Sequence, residues 1–473
     1  MTTIVNTAAR LVKVGIVMGL TIIALPTSAA PRIYATGVTR YVPAKAYPCY
    51  VLFAGADGKT HLIDMDGNEV HRWPQMGFPS KMLSPKLTGG KRGRLLVQLQ
   101  SMKGTHAPGK RDFNNIFHDK TIGEVDWNGK VLWSWGLQAP GGAAHQNHDY
   151  ERLANGNTLV LTAFDHHIPG FKAKETADQA IDEVTSGGKI VWRWVAGDHV
   201  NEFGFTKKGL KMIRNGFSID RSGEPGHTGF LTINAVSTLG PNHWYEQGDK
   251  RFNPNNIMIN SREADFVAII DKATGKVVWH LGPVYPDTGK PPEGRVANLT
   301  LPRPVDQMSG EHFAHLIPEG LPGAGDILLL DNQGSGGIPP AYVESLGASR
   351  VLEINPVKKE IVWQYNGESS GRALWSFYTA FMGSVQRLPN GNTLIDEAVF
   401  GHVFQVTPDG KVVWDYVSPY FGHGRFGGTR DVASNYLYRV QAVPYDWVPA
   451  GTPHSEREIR SPDVSTFRVP GAP

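Results

Sequence analysis

The sequence predicts an all-β fold, a six-bladed β-propeller of four-stranded antiparallel blades, on three observations. The composition is turn- and strand-forming: 54 Gly, 33 Pro and 12 Trp in 473 residues, with only 19% charged. A tail motif recurs, in which apolar residues, a tight turn, a polar residue and further apolar residues end in tryptophan. A Gly-rich hairpin lies between successive tails, so each unit reads as two hairpins, or four strands.

The tails run LIDMDGNEVHRW to Trp73, GEVDWNGKVLW to Trp133, DEVTSGGKIVW to Trp192, VAIIDKATGKVVW to Trp279, VLEINPVKKEIVW to Trp363 and VFQVTPDGKVVW to Trp414. Asp, Asn and Gly fill their turns because a tight hairpin needs residues that tolerate positive φ. The alternating apolar residues on either side fit half-buried strands. LANGNTLVL (153–161), LPGAGDILLL (321–330) and LPNGNTLID (388–396) are clear inner hairpins; 253–261 and 87–99 are looser ones. A pair of stacked sandwiches would also be built from hairpins but gives no reason for six similar tails. The tail tryptophans are read as blade-packing residues, and Tyr50–Phe53 or Tyr436–Val443 as the strand that closes the ring and removes its free edges. Glu456–Pro473 reads as extended, and long loops are expected at Ala196–Phe230, Leu239–Phe252, Pro283–Gln307 and Gly334–Gly347.

Residues 1–30 differ in kind. Arg10 and Lys13 precede an apolar run from Val14 to Leu25, then Pro26 and the small residues Ser28, Ala29 and Ala30, which fits a secretory signal. The expectation is an exported protein, periplasmic or secreted; an uncleaved N-terminal anchor, the one route to a membrane, is the alternative. The propeller then occupies 31–450 and an extended tail 451–473. With Cys49 the only cysteine, no internal disulfide forms. The formal net charge of +3, without a Lys/Arg block, argues against nucleic acid. Monomer and homodimer both stay open.

Function in a propeller belongs to the rim where first strands begin and second strands end. Those positions hold His148 with Asp149, Thr232 with Asn234, Arg262, His312, and Asp331 with Asn332. A charged arginine beside two neutral imidazoles suits an anionic substrate better than a metal ion. Each residue also has a plain structural reading: the histidines as inner-strand groups bonded to neighbouring blades, and Arg262 as the partner of Glu263 or Asp265. Trp244, Tyr245 and the run Trp375–Tyr378 are candidates to hold an aromatic ring, or core. No ligand spacing points to a metal.

Five segments in order, HLIDMDGNEVHRW, NHDYERLANGNTLVL, INAVSTLGPNHWYEQGDKRFNPNNIMINSREADFVAIIDKATGKVVWHLGP, GEHFAHLIPEGLPGAGDILLLDN and SVQRLPNGNTLIDEAVFGHVFQVTPDGKVVWDYVSP, resemble the arylsulfate sulfotransferase family, nucleotide-independent bacterial enzymes. The resemblance implies a six-bladed propeller that needs no cofactor. It implies transfer of a sulfuryl group from an aryl sulfate to a phenolic acceptor through a sulfohistidine. On this chain His312 falls on the histidine that carries the sulfuryl group, His148 on a second active-site histidine, and Arg262 on the arginine that binds the sulfuryl oxygens. Asn234 matches an active-site asparagine, and with Thr232 and Asn332 it is assigned to substrate binding. Thr232 stands where the family has a further histidine. A hydroxyl cannot carry a proton near neutral pH as imidazole does, so hydrolysis, another anionic ester or a non-catalytic binding propeller are the alternatives.

Overall fold

The structure is a computed structural model that describes residues 36–101, 111–112, 119–216, 229–284, 308–333, 337–338, 348–425 and 432–461. The expected export segment, residues 462–473 and much of the 283–307 and 334–347 loops lie outside the described residues.

The chain is an all-β propeller. Two of its antiparallel sheets run in sequence order from Ile233–Thr238 through Val277–Leu281 and from His312–Leu316 through Glu360–Tyr365. A third combines Leu437–Val443 with Tyr50–Gly55, Thr60–Ile63 and Glu69–Trp73, so both proposed closing segments share one sheet and pair directly. A fourth runs from Ser384–Arg387 to Val412–Val417 and gains Gly37–Tyr41 on its outer edge. The eight-stranded sheet holds two four-stranded sets, from Lys81–Met82 to Val131–Trp135 and from Gln146–Arg152 to Ile190–Val195. Their strands pair at Gln146 and Asp119.

These residues form these strands because both faces are buried. FVAII at Phe266–Ile270 is buried at every position, as is ILLLD at Ile327–Asp331. Neighbouring sets pack face to face. Met258, Val267 and Ile269 meet Leu316, Leu329 and Leu352, and the last set returns to the first where Leu394 and Val403 meet Phe53 and Ile63. The tail turns are closed by their own side chains: Asp64 Oδ1 accepts the amides of Asp66 and Asn68 at 3.1 and 2.9 Å, and Gly67 supplies the positive φ of 84°.

Each tail tryptophan also reaches the next set. The indole N–H groups of Trp73, Trp133, Trp192, Trp279 and Trp363 donate to the backbone carbonyls of Asp126, Ser186, Lys272, Pro356 and Pro408, at 2.8–3.1 Å. Trp414 donates to Met65 O at 2.8 Å and joins the last set to the first. Beyond Val443 the chain stays ordered against the N-terminal part: Ser455 binds Asp66, and Tyr41 and Ile459 exchange both backbone hydrogen bonds at 2.7 and 3.0 Å.

Candidate active site

The inner strands do not start as plain strands. His148, Thr232, Phe313 and Met382 take φ of 63°, 47°, 58° and 63°. The ladder slips between Gln146 and Tyr150, and again between His312 and His315. Such left-handed positions cost about 1–3 kcal/mol each for non-glycine residues, so their surroundings must hold them. Around Thr232, the carbonyl accepts the Arg262 amide at 3.1 Å and the hydroxyl donates to Gly229 O at 3.3 Å. Around Met382, the amide donates to His312 Nε2 at 3.0 Å and the carbonyl accepts from Asn332 Nδ2 at 2.8 Å.

His312 opens its strand in the core and is 3% exposed. Its Nδ1 faces two acceptors, Asn332 Oδ1 at 2.7 Å and Gly310 O at 3.0 Å, which places the proton on Nδ1. Nε2 therefore carries the lone pair, and it accepts the Met382 amide from the neighbouring set. Burial pushes the His312 pKa down to about 3, and the Arg262 and Arg439 guanidinium groups push the same way. The imidazole is neutral, in one tautomer, at ordinary pH.

The backbone around His312 is clamped. Glu311 O accepts the side-chain amides of Asn234 and Asn260, both at 2.9 Å, and Asn260 Nδ2 also donates to Asn234 Oδ1 at 3.0 Å. Gly310 N–H donates to Asp265 and Ser309 N–H to Asp331, at 2.9 and 3.0 Å. The Glu311 carboxyl is fully buried, and neither oxygen has a hydrogen-bond partner among the described residues. Burial first, and repulsion from neighbouring carboxyls second, hold Glu311 and Asp265 well above the usual carboxylate range. Arg262 ends the neighbouring hairpin, and its Nη1 contacts the Glu263 carboxylate.

His148 occupies the equivalent start two sets earlier; it is 5% exposed and its Nδ1 contacts Asn147 Oδ1. The closing strand adds a residue the rim argument missed. Arg439 is buried, with Nη1 2.8 Å from Asp149 Oδ2 and Nη2 donating to Asn234 O. Its guanidinium carbon lies 4.5 Å from the Phe313 ring centre and 5.0 Å from that of Tyr438, and Tyr438 is 6.3 Å from the His148 ring. Burial alone would raise the Asp149 pKa, but Arg439 and Lys81 outweigh it and hold Asp149 below its ordinary range. The sequence signal was available: an arginine inside the apolar run YLYRVQAV.

The predicted residues thus fall into one connected group. Asn332 touches His312, Asn234 grips Glu311 beside it, and Arg262 shares backbone with Thr232. His148 joins through Asp149, Arg439 and Phe313. Trp244 does not join: its indole donates to Gly325 O in the hairpin turn, at the other end of the channel. Among the described residues no cluster of His, Cys, Asp and Glu could hold a metal ion.

Fold and site together define an all-β propeller with a neutral imidazole and buried guanidinium groups at one rim. The chain belongs to the arylsulfotransferase (ASST) family, whose model matches residues 93–414. The family acts on small-molecule aryl sulfates and phenols, and sulfuryl transfer is supported at that level. No curated protein matches the chain. Among solved structures, it is similar to a protein of unknown function from Bacteroides caccae, with 14% identity over 83% of this chain and 98% of that one and a TM-score of 0.43. A catalytically inactive virginiamycin B lyase from Staphylococcus aureus, crystallised with quinupristin, is 10% identical over 85% of this chain and 96% of its own, with a TM-score of 0.34. Likenesses this distant place no chemistry on the chain.

Proposed function

We propose that this protein transfers a sulfuryl group from an aryl sulfate to a phenol by a two-step exchange at His312. Its Nε2 lone pair attacks sulfur; the N–S bond forms as the S–O bond to the aryl group breaks, and the aryl oxide leaves with the bonding pair. Nδ1 keeps its proton, and Asn332 Oδ1 and Gly310 O stabilise the positive charge that develops on the ring. In the second step a phenol oxygen, losing its proton to His148, takes the sulfuryl group and returns the lone pair to Nε2. Arg262 exchanges Glu263 for the sulfuryl oxygens. Asn332 and Asn234 act by holding His312 and Glu311, and Thr232 lines the rim with a hydroxyl that does not exchange its proton near neutral pH as imidazole does. Met382 N–H occupies Nε2 at rest and yields it when substrate is seated.

The observation that carries this reading is the single-tautomer neutral imidazole of His312, inside the region that matches the family. We read the ring as six blades. In support, the eight-stranded sheet divides at one residue pair, and the tail tryptophans link successive four-stranded sets. We also read the chain as exported, on the strength of residues 1–30.

The test incubates the purified chain with 4-nitrophenyl sulfate, with and without phenol, and follows 4-nitrophenolate and the mass of the His312 peptide. Phenol-stimulated release, a sulfurylated His312 and their loss in His312→Ala are expected. Release without acceptor dependence would indicate hydrolysis, and neither release nor adduct from folded protein would overturn the reading.

A further inference from the structure

The channel holds a second space, at the end where the inner strands finish. A cavity of about 520 Å³ is lined from every inner strand, by Lys81, Glu151, Val236, His315, Arg387 and Gln441 among others. This volume lies within the range of small-molecule pockets, about 300–1,000 Å³. Phe313 and Arg439, stacked at 4.5 Å, form its floor toward the His312 rim, and neither His312 nor His148 lines it.

The chemistry of the walls narrows the occupant. The charged groups are already matched: Lys81 Nζ lies 2.7 Å from Asp149, Arg152 Nη2 3.1 Å from Glu124, and Arg387 contacts Glu353. Glu151 accepts both the amide and the hydroxyl of Thr238, at 2.7 and 3.2 Å. An anionic ligand would find no unpaired cation there, and Glu151, which has no ion pair among the described residues, already has both carboxyl oxygens engaged by Thr238. Met82, Leu83, Leu316, Leu321 and Trp447 supply apolar wall.

Beside the arginine nitrogens, two uncharged polar atoms are left over. His315 Nδ1–H donates to Phe313 O at 3.0 Å, which fixes its tautomer and leaves the Nε2 lone pair without a hydrogen bond among the described residues. Burial pushes its pKa down to about 4, so that lone pair persists at neutral pH. Ser237 Oγ, on the next inner strand, also lacks a partner.

We propose that this cavity is a second ligand site, for a small, neutral, mostly apolar molecule that donates one hydroxyl hydrogen to His315 Nε2. The site is separate from the rim and does not depend on the transfer reaction.

The test titrates the full chain with 2-naphthol, read by its fluorescence, and with 2-methoxynaphthalene, which has the same rings and no hydroxyl hydrogen. Wild type is expected to bind 2-naphthol at least tenfold more tightly than the ether, and His312→Ala to bind both as wild type does. His315→Leu should lose the tenfold preference, and Val236→Trp, which fills the cavity, should lose both ligands. Equal affinity of wild type for the two probes, or no saturable binding, would overturn the proposal without recourse to any variant. Loss of 2-naphthol binding in His312→Ala would place the probe at the rim and overturn it equally.

Discussion

Replacing Asn332 by alanine separates the two things its side chain does. Oδ1 accepts from His312 Nδ1 at 2.7 Å, and Nδ2 donates to Thr379 O and Met382 O, both at 2.8 Å. After the change Thr379 O retains the Ser349 hydroxyl at 3.3 Å, but the side-chain donor to Met382 O is gone and His312 keeps only Gly310 O. One orphaned buried carbonyl and one weakened imidazole bond cost about 2–4 kcal/mol of stability together, at about 1–3 kcal/mol per unsatisfied group. The rate effect is separable. In the proposed transfer, the ring turns cationic as the sulfuryl group joins Nε2, and the Asn332 bond becomes charge-assisted, worth about 1.5–3 kcal/mol. That corresponds to a roughly ten- to hundredfold slower burst of 4-nitrophenolate from 4-nitrophenyl sulfate. Urea denaturation measures the first quantity and rapid-mixing absorbance the second. A shifted denaturation midpoint with a burst rate within threefold of wild type would refute the tautomer argument and leave Asn332 a purely structural residue.

Three further outcomes are expected. Thr232→His places imidazole at φ 47°, a conformation that suits histidine better than a β-branched residue, and phenol-stimulated release should rise at least about tenfold without loss of stability; an unchanged rate in a folded variant would show that this position takes no part in proton transfer. Arg439→Met leaves Asp149 buried against Lys81 alone and should destabilise by about 3–5 kcal/mol in urea unfolding, whereas a loss under 1 kcal/mol would mean that water reaches Asp149. His312 also sets a pH dependence. Its folded pKa of about 3 lies below the ordinary 6.5, so as pH falls between these values the unfolded chain takes a proton that the folded chain refuses, and stability drops; above 6.5 neither state takes it, and below 3 both do. His312→Gln should therefore lose less stability than wild type between pH 6.5 and 4, and parallel curves would disprove the assignment.

The strands were legible because their signals are local. Apolar alternation and Asp/Asn/Gly turns mark the hairpins wherever they occur, and the repeated tails reveal their common packing. The hairpin from His312 to Asp331 was readable to its ends, and so was the nearness of His312 to Asn332. What the sequence hid depends on partners far along the chain. Nothing in HDYE or EHFAH announces that His148 or Phe313 turns to positive φ: histidine tolerates that region without requiring it, phenylalanine does not favour it, and tertiary bonds impose it on both. Asn234 also donates to Glu311 O and accepts from Asn260, partners on other strands that its own sequence does not show. Arg439 went unseen because its importance follows from ring closure, which seats it against Asp149 and Asn234, 290 and 205 residues away (439 − 149 and 439 − 234). Of the two readings open for Trp244, its indole bond to Gly325 O and its packing favour the core one, and that choice is decided by strand direction, not by residue type.

Closure at Leu437–Val443 has a consequence for how the protein is made. Synthesis runs from the N-terminus, so the strand that pairs with Tyr50–Gly55 is among the last to appear. Until then that first sheet has an open edge able to pair with another chain. Asp149 meanwhile waits without Arg439, and Phe313 without the cation that stacks on it. A nascent chain that stops before residue 437 therefore lacks a complete rim as well as a complete ring, and the candidate site is assembled only when the last strand seals the propeller.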